Sequence, residues 1–150
     1  MKKGFTIIEL IIVISVLIIL IGIVIPRMKG AQQAGNIVKA KAELQTLQAA
    51  IESYYNTNGT YPACGGGCVI PCQTFFNGAT PQMVSSTLYD PFGGTTTTEY
   101  KLITNGTYYV FASVGAGGND LNGYDINATT GVVNKGGHVN SLCITNGTGC

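Results

Sequence analysis

The sequence predicts an α+β chain: a long N-terminal helix, kinked near Pro26, packed on a small antiparallel sheet of three or four strands. Three observations predict this. Phe5 to Ile25 is an almost unbroken apolar run that contains one acid, Glu9. Apolar residues then recur at helical spacing from Ile37 to Tyr54. Beyond Gly59 the composition turns to Gly, Thr, Asn and Tyr, with short strand-like stretches set between turn residues.

The apolar run would extend about 31 Å as a helix, enough to cross the hydrocarbon core of a bilayer. Lys2 and Lys3 precede it and hold the N-terminal end on the cytoplasmic side, which sends everything after Pro26 across the membrane. A secretory signal would be shorter and would end in a small-residue cleavage site, whereas Pro26-Arg27-Met28-Lys29 follows here. An uncleaved signal anchor is the competing reading until Glu9 is weighed. A carboxylate in such a span costs about 2.5–3.5 kcal/mol on insertion scales and marks function. Were the chain cut between Gly4 and Phe5, the new α-amine would lie four residues from Glu9, on the same or a neighbouring chain.

Past the membrane, Ile37, Ala40, Leu44, Leu47, Ile51 and Tyr54 form one apolar stripe, while Lys39, Lys41, Glu43, Gln45, Gln48 and Glu52 take the other faces. The stripe predicts packing onto the domain that follows. Gly22, Pro26, Gly30 and Gly35 lie between the two helical halves. Because proline removes a helix hydrogen bond, a kink or a short melted stretch is expected from about Gly22 to Gly30. Asn56-Thr57-Asn58-Gly59 is a stop signal.

Residues 63–98 read as a loop with one short helix near 80–88, and Asp90-Pro91-Phe92-Gly93-Gly94 as a turn. Asn105-Gly106 between 99–104 and 107–114 is a strong hairpin signal, and a second strand pair is expected at 124–127 and 132–134. The sheet then buries its apolar face on the helix stripe.

Composition narrows the function. The chain carries 8 basic and 7 acidic residues, and beyond residue 60 only Lys101 and Lys135 are basic, which disfavours nucleic-acid binding. Five cysteines, four of them in polar, Gly-rich surroundings, indicate disulfides in an oxidising compartment, and the odd count leaves one unpaired or pairing elsewhere. Cys64, Cys68 and Cys72 are spaced four apart, but Gly65–Gly67 and Pro71 prevent a helix from presenting them together to a metal. His138, the single histidine, has no acid or nucleophile at motif spacing, so no catalytic residues and no enzyme are expected. Asn119, Asp120, Asn122 and Asp125, with backbone carbonyls, supply the oxygen donors that Ca²⁺ takes. A plain Gly/Asn turn competes with that reading, and no cofactor is required. Asn-x-Thr sequons start at Asn58, Asn105, Asn127 and Asn146. They are candidates for glycosylation and, equally, good turn chemistry.

Lys3-Gly4-Phe5-Thr6-Ile7-Ile8-Glu9-Leu10 resembles the class III prepilin signal of type IV pilins, type II secretion pseudopilins and competence pilins. Tyr54–Pro62 is similar to the Tyr-x-x-x-x-Gly-x-Tyr-Pro segment that follows the pilin helix, and Asp90–Gly93 resembles a segment preceding the sheet in major pseudopilins. The resemblance implies the pilin fold, cleavage after Gly4 by a prepilin peptidase, N-methylation of Phe5, and neutralisation of a neighbour's terminal amine by Glu9. It implies a proline-centred helix break, calcium in the loop after the corresponding pseudopilin strand, and a C-terminal loop closed by Cys143 and Cys150. Connectivity among the other cysteines is not legible.

The expected organisation is a cleaved leader (1–4), a membrane and filament-core helix (5–26), an amphipathic helix (27–58) and a head (59–150). The head divides into a loop region (59–98), a sheet (99–134) and a C-terminal loop (135–150). The main expectation is a homopolymeric type IV pilus-like subunit, with the major pseudopilin of a type II secretion system as the alternative and a DNA-capturing minor or competence pilin less favoured. Its partners would be copies of itself, the prepilin peptidase and methyltransferase, and an inner-membrane assembly platform. The precursor would sit in the inner membrane with a cytoplasmic N-terminus, and the filament at the cell surface, or in the periplasm for a pseudopilus.

Overall fold

The computed structural model describes residues 4–62, 70–71, 76, 82–94, 98–118 and 120–150. It divides into two compact units, Met1–Gly35 and Asn36–Cys150. Helix α1, Ile7–Asn58, supplies the first unit and the helical part of the second. Among the described residues six strands follow: β1 (Ile70–Pro71), β2 (Lys101–Thr104), β3 (Tyr109–Ser113), β4 (Asp125–Ile126), β5 (Val133–Asn134) and β6 (Leu142–Thr145).

α1 starts at a cap. The Glu9 amide donates to Thr6 Oγ1 at 3.3 Å, which satisfies an N–H that the first turn leaves open, and the Leu10 amide makes the first helical bond to the Thr6 carbonyl at 3.2 Å. The helix ends where expected. Gly59 adopts φ +75° and its amide donates to the Tyr55 carbonyl at 2.7 Å, a left-handed cap that glycine takes without a Cβ penalty. The melted stretch expected between Gly22 and Gly30 is corrected, because the backbone is helical across Gly22, Pro26 and Gly30. Pro26 lacks one N–H, which deprives only the Gly22 carbonyl of its helical partner. A 52-residue helix absorbs that loss.

In the second unit the predicted stripe is the buried one. Ala40, Leu44, Leu47, Ala50 and Ile51 pack with Tyr61, Phe76, Val84, Tyr100, Leu102, Tyr109 and Phe111 into one core cluster. The main sheet runs β1-β2-β3-β6, every pair antiparallel. Leu102 opposes Phe111 and Ile103 opposes Val110 in the β2–β3 hairpin, so alternate residues face opposite sides. Leu102, Tyr109 and Phe111 face the helix. Ile103, Val110 and Ala112 face a second core with Val114, Leu121, Tyr124, Ile126 and Val133.

Three features of the head differ from expectation. β4 and β5 pair with each other as a separate two-stranded sheet, covering the second core instead of extending the main one. Residues 142–145, expected as loop, form β6 beside β3, with Ala112 opposite Cys143. The helix expected near 80–88 is not formed across 82–88, and residues 80–81 lie outside the described set. That stretch runs as irregular backbone with bends, Val84 is buried in the first core, and Met83 donates its amide to the Phe76 carbonyl at 3.1 Å.

Candidate functional site

The first unit presents an exposed apolar helix. Its large apolar side chains from Phe5 to Val24 are between 46 and 82 % exposed. Ile7–Val24 is the one span, among the described residues, long and apolar enough to cross a membrane, and none of that span is buried. Covering a side chain of this size is worth about 1.5–3 kcal/mol, so the surface demands lipid or other helices around it.

Glu9 lies in the first turn of this helix. Its backbone amide is held by Thr6, and a negative charge there also meets the positive end of the helix dipole. Gly4 and Phe5 precede the helix, exposed and non-helical, with open space where a Gly4 Cβ would stand. The Gly4–Phe5 bond is therefore exposed, four residues ahead of Glu9 in the chain. Thr6 was not singled out from the sequence. The signal was present, since Thr-x-x-Glu before an apolar run is a capping-box pattern.

The second unit anchors the upper part of α1 through two acids. Tyr100 donates its hydroxyl to Glu43, which also lies 3.8 Å from Lys39 Nζ. Tyr109 donates to Glu52 Oε1 at 2.9 Å, and Tyr61 to the same carboxylate at 3.1–3.2 Å. Burial, reinforced by hydrogen bonding to the Glu52 carboxylate, pushes the Tyr61 phenol up to about 12 and raises Tyr109 as well. Tyr124 is raised by burial, partly offset by its hydrogen bond with Ser141. No sequence motif points to these clamps.

The Asp90–Gly94 turn is fixed by a buried carboxylate. Asp90 accepts from the Phe92 amide, the Ser113 hydroxyl and the Val114 amide, each at 2.9 Å, and so ties the turn to the end of β3. Beyond it, Gly115 (φ +71°) lies against the Asn140 backbone, where a Cβ would come within 1.9 Å of the carbonyl oxygen.

In the described part of the oxygen-rich loop the two carboxylates cap amides of their own turns. Asp120 Oδ1 accepts from the Asn122 amide at 2.9 Å and lies 3.7 Å from His138 Nε2, while Asp125 Oδ1 accepts from the Ile126 amide at 2.8 Å. Asp120 and Asn122 share a turn, Asp125 is spent on β4, and Asn119 lies outside the described residues. Among the described residues no three His, Cys, Asp or Glu side chains converge as a metal would need. A polar cleft of about 170 Å³ lies beside His138, between 114–118 and 137–141.

Cys143 and Cys150 are joined in a disulfide. Cys64, Cys68 and Cys72 lie outside the described residues. The four sequons differ in availability. Asn58 Nδ2 donates to the Tyr54 carbonyl at 2.9 Å and Asn146 Nδ2 to the Thr107 carbonyl at 3.0 Å, so both nitrogens are engaged. Asn105 and Asn127 each use the side-chain oxygen to cap two amides of its own turn.

No protein-family profile matches the chain, and no solved structure matches it significantly. Curated relatives are found over 66 residues. The chain is 30 % identical to type II secretion system core protein G of Pectobacterium carotovorum subsp. carotovorum, across 44 % of this chain and 42 % of the relative. The protein of that name from Klebsiella pneumoniae is 30 % identical across 44 % and 47 %, and that from Aeromonas hydrophila 32 % across 44 % and 46 %. The match spans less than half the length of each relative.

Proposed function

We propose that the chain is the structural subunit of a type II secretion-type filament, a pseudopilin that polymerises through α1. The observation that carries the proposal is the apolar span Ile7–Val24, none of it buried, with Glu9 in its first turn, in a chain similar to core protein G. The precursor waits in the inner membrane with its N-terminus in the cytoplasm. A prepilin peptidase cuts after Gly4, Phe5 is N-methylated, and an assembly platform passes the subunit from lipid into a bundle of its copies. In that bundle the Phe5 amine of one subunit meets Glu9 of another. A buried pair of this kind sets register more surely than it adds net stability, and apolar helix contacts supply the cohesion. Calcium on Asn119, Asp120, Asn122 and Asp125 is an accessory to the proposal, tested by calorimetric titration of the full chain with Ca²⁺.

A surface type IV pilus subunit is the second reading. The disulfide-closed C-terminus, Cys143–Cys150, favours it. Deleting the gene separates the two. A pseudopilin deletion stops release of folded exoproteins and leaves surface fibres intact. A pilus-subunit deletion removes surface fibres and leaves secretion intact. A strain unchanged in both would refute both.

A further inference from the structure

A file of aromatic rings leads from the head surface into its core. Tyr55, on the last turns of α1, is 40 % exposed, and its ring centroid lies 4.6 Å from that of Tyr61. Tyr61 is 4.9 Å from Tyr109, and Tyr109 is 5.8 Å from Phe111. These are ordinary packing distances for rings, and they are also contacts across which an electron passes readily. The feature that ordinary packing does not require is Glu52. Its carboxylate accepts hydrogen bonds from two consecutive members of the file, Tyr61 and Tyr109, within the reach at which a carboxylate takes a proton.

We infer that Tyr55, Tyr61, Tyr109 and Glu52 form a one-electron oxidation site, open to an oxidising radical or a high-potential metal complex at Tyr55 and holding the product radical on the two buried phenols. The oxidant removes one electron from the file and is itself reduced by one. The electron comes from the Tyr61 or Tyr109 phenol, and the O–H proton of that phenol moves along its existing hydrogen bond to Glu52. The products are a neutral phenoxyl radical, a protonated Glu52 and the reduced oxidant. Transfer runs downhill because a phenol radical cation is a far stronger acid than a carboxylic acid. Before oxidation burial, reinforced by the same carboxylate, keeps both phenols protonated, consistent with Tyr61 being pushed up to about 12 and Tyr109 being raised as well, so the proton leaves only with the electron.

The file also has an end. Phe111 is much harder to oxidise than a phenol, so the radical stops at Tyr109, whose side chain is fully buried. There it is shielded from solvent and from coupling to a second radical, protection that Tyr55 lacks.

The test uses the full chain in detergent, oxidised by photogenerated tris(bipyridine)ruthenium(III), frozen and read by electron paramagnetic resonance. The long-lived tyrosyl signal should fall at least tenfold in Tyr61→Phe/Tyr109→Phe, and clearly in Glu52→Gln. Tyr55→Phe should slow its appearance. Glu43→Gln, which loosens the Tyr100 clamp without touching the file, should leave the signal as in the unsubstituted chain. A signal that survives the double substitution, or that falls as far in Glu43→Gln as in Glu52→Gln, would overturn the inference.

Discussion

Tyr109→Phe removes a single hydroxyl from a side chain that is fully buried, and leaves its ring contacts with Tyr61 and Phe111 in place. What is lost is the 2.9 Å bond to Glu52, which links β3 to α1 across 57 residues of sequence. A hydrogen bond to a charged acceptor is worth about 1.5–3 kcal/mol. Because Glu52 is half-buried and keeps Tyr61 as a partner, the lower part of that range, about 1.5–2 kcal/mol, applies to this substitution. Glu52→Gln retains one carbonyl acceptor for two phenols and loses the charge, so a similar cost of about 2 kcal/mol is expected. The two changes share one interaction, and the double variant should be less destabilised than the sum by about 1 kcal/mol or more. Urea unfolding of the full chain in detergent, followed by near-ultraviolet circular dichroism of its tyrosines, measures all four corners of the cycle. The chain has no tryptophan to mask them. Additivity to within about 0.3 kcal/mol would show that the clamp does not couple helix and sheet.

Other outcomes follow from the same packing. Leu47→Ala, at a site with no exposure in the centre of the helix stripe, should destabilise the head by about 2–5 kcal/mol in the same assay. Raising the pH should unfold the head. Tyr61 and Tyr109 are raised above the ordinary value of 10, so the stability they contribute is complete below pH 10; that of Tyr61 is lost as pH climbs through about 12, and that of Tyr109, raised further by its deeper burial, at still higher pH. Tyrosinate absorbance should show these phenols ionising together with loss of the circular dichroism signal. Cys143→Ser/Cys150→Ser should cost about 2.5 kcal/mol, the chain-entropy value for so short a loop. It should also free the C-terminal segment, where Thr148 bonds to Gly131 and Val133, as faster amide exchange there would show.

Much of this fold could be read locally. The spacing from Ala40 to Ile51 names the face that is buried, Asn105-Gly106 places the hairpin, and Asn58-Gly59 ends the helix. The missed parts depend on distant partners. Leu142–Thr145 is too short to show alternation and becomes a strand because β3 offers it an edge. The 82–88 segment has helix-compatible residues, yet Val84 is needed in the core. Pro26 looks like a breaker one residue at a time, whereas the long helix around it continues. At the site, Glu9 is conspicuous in the sequence because an acid in an apolar run is costly. Glu43 and Glu52 look like solvent-facing charges on an amphipathic helix, and only the folded sheet brings Tyr100 and Tyr109 to them.

Filament assembly through a freshly cut, unshielded helix is tested most directly by intact-mass spectrometry of the chain recovered from sheared fibres. The mass should correspond to a subunit starting at Phe5 and carrying one added methyl group. Recovery of the chain only as dispersed membrane monomer, still beginning at Met1, would contradict it.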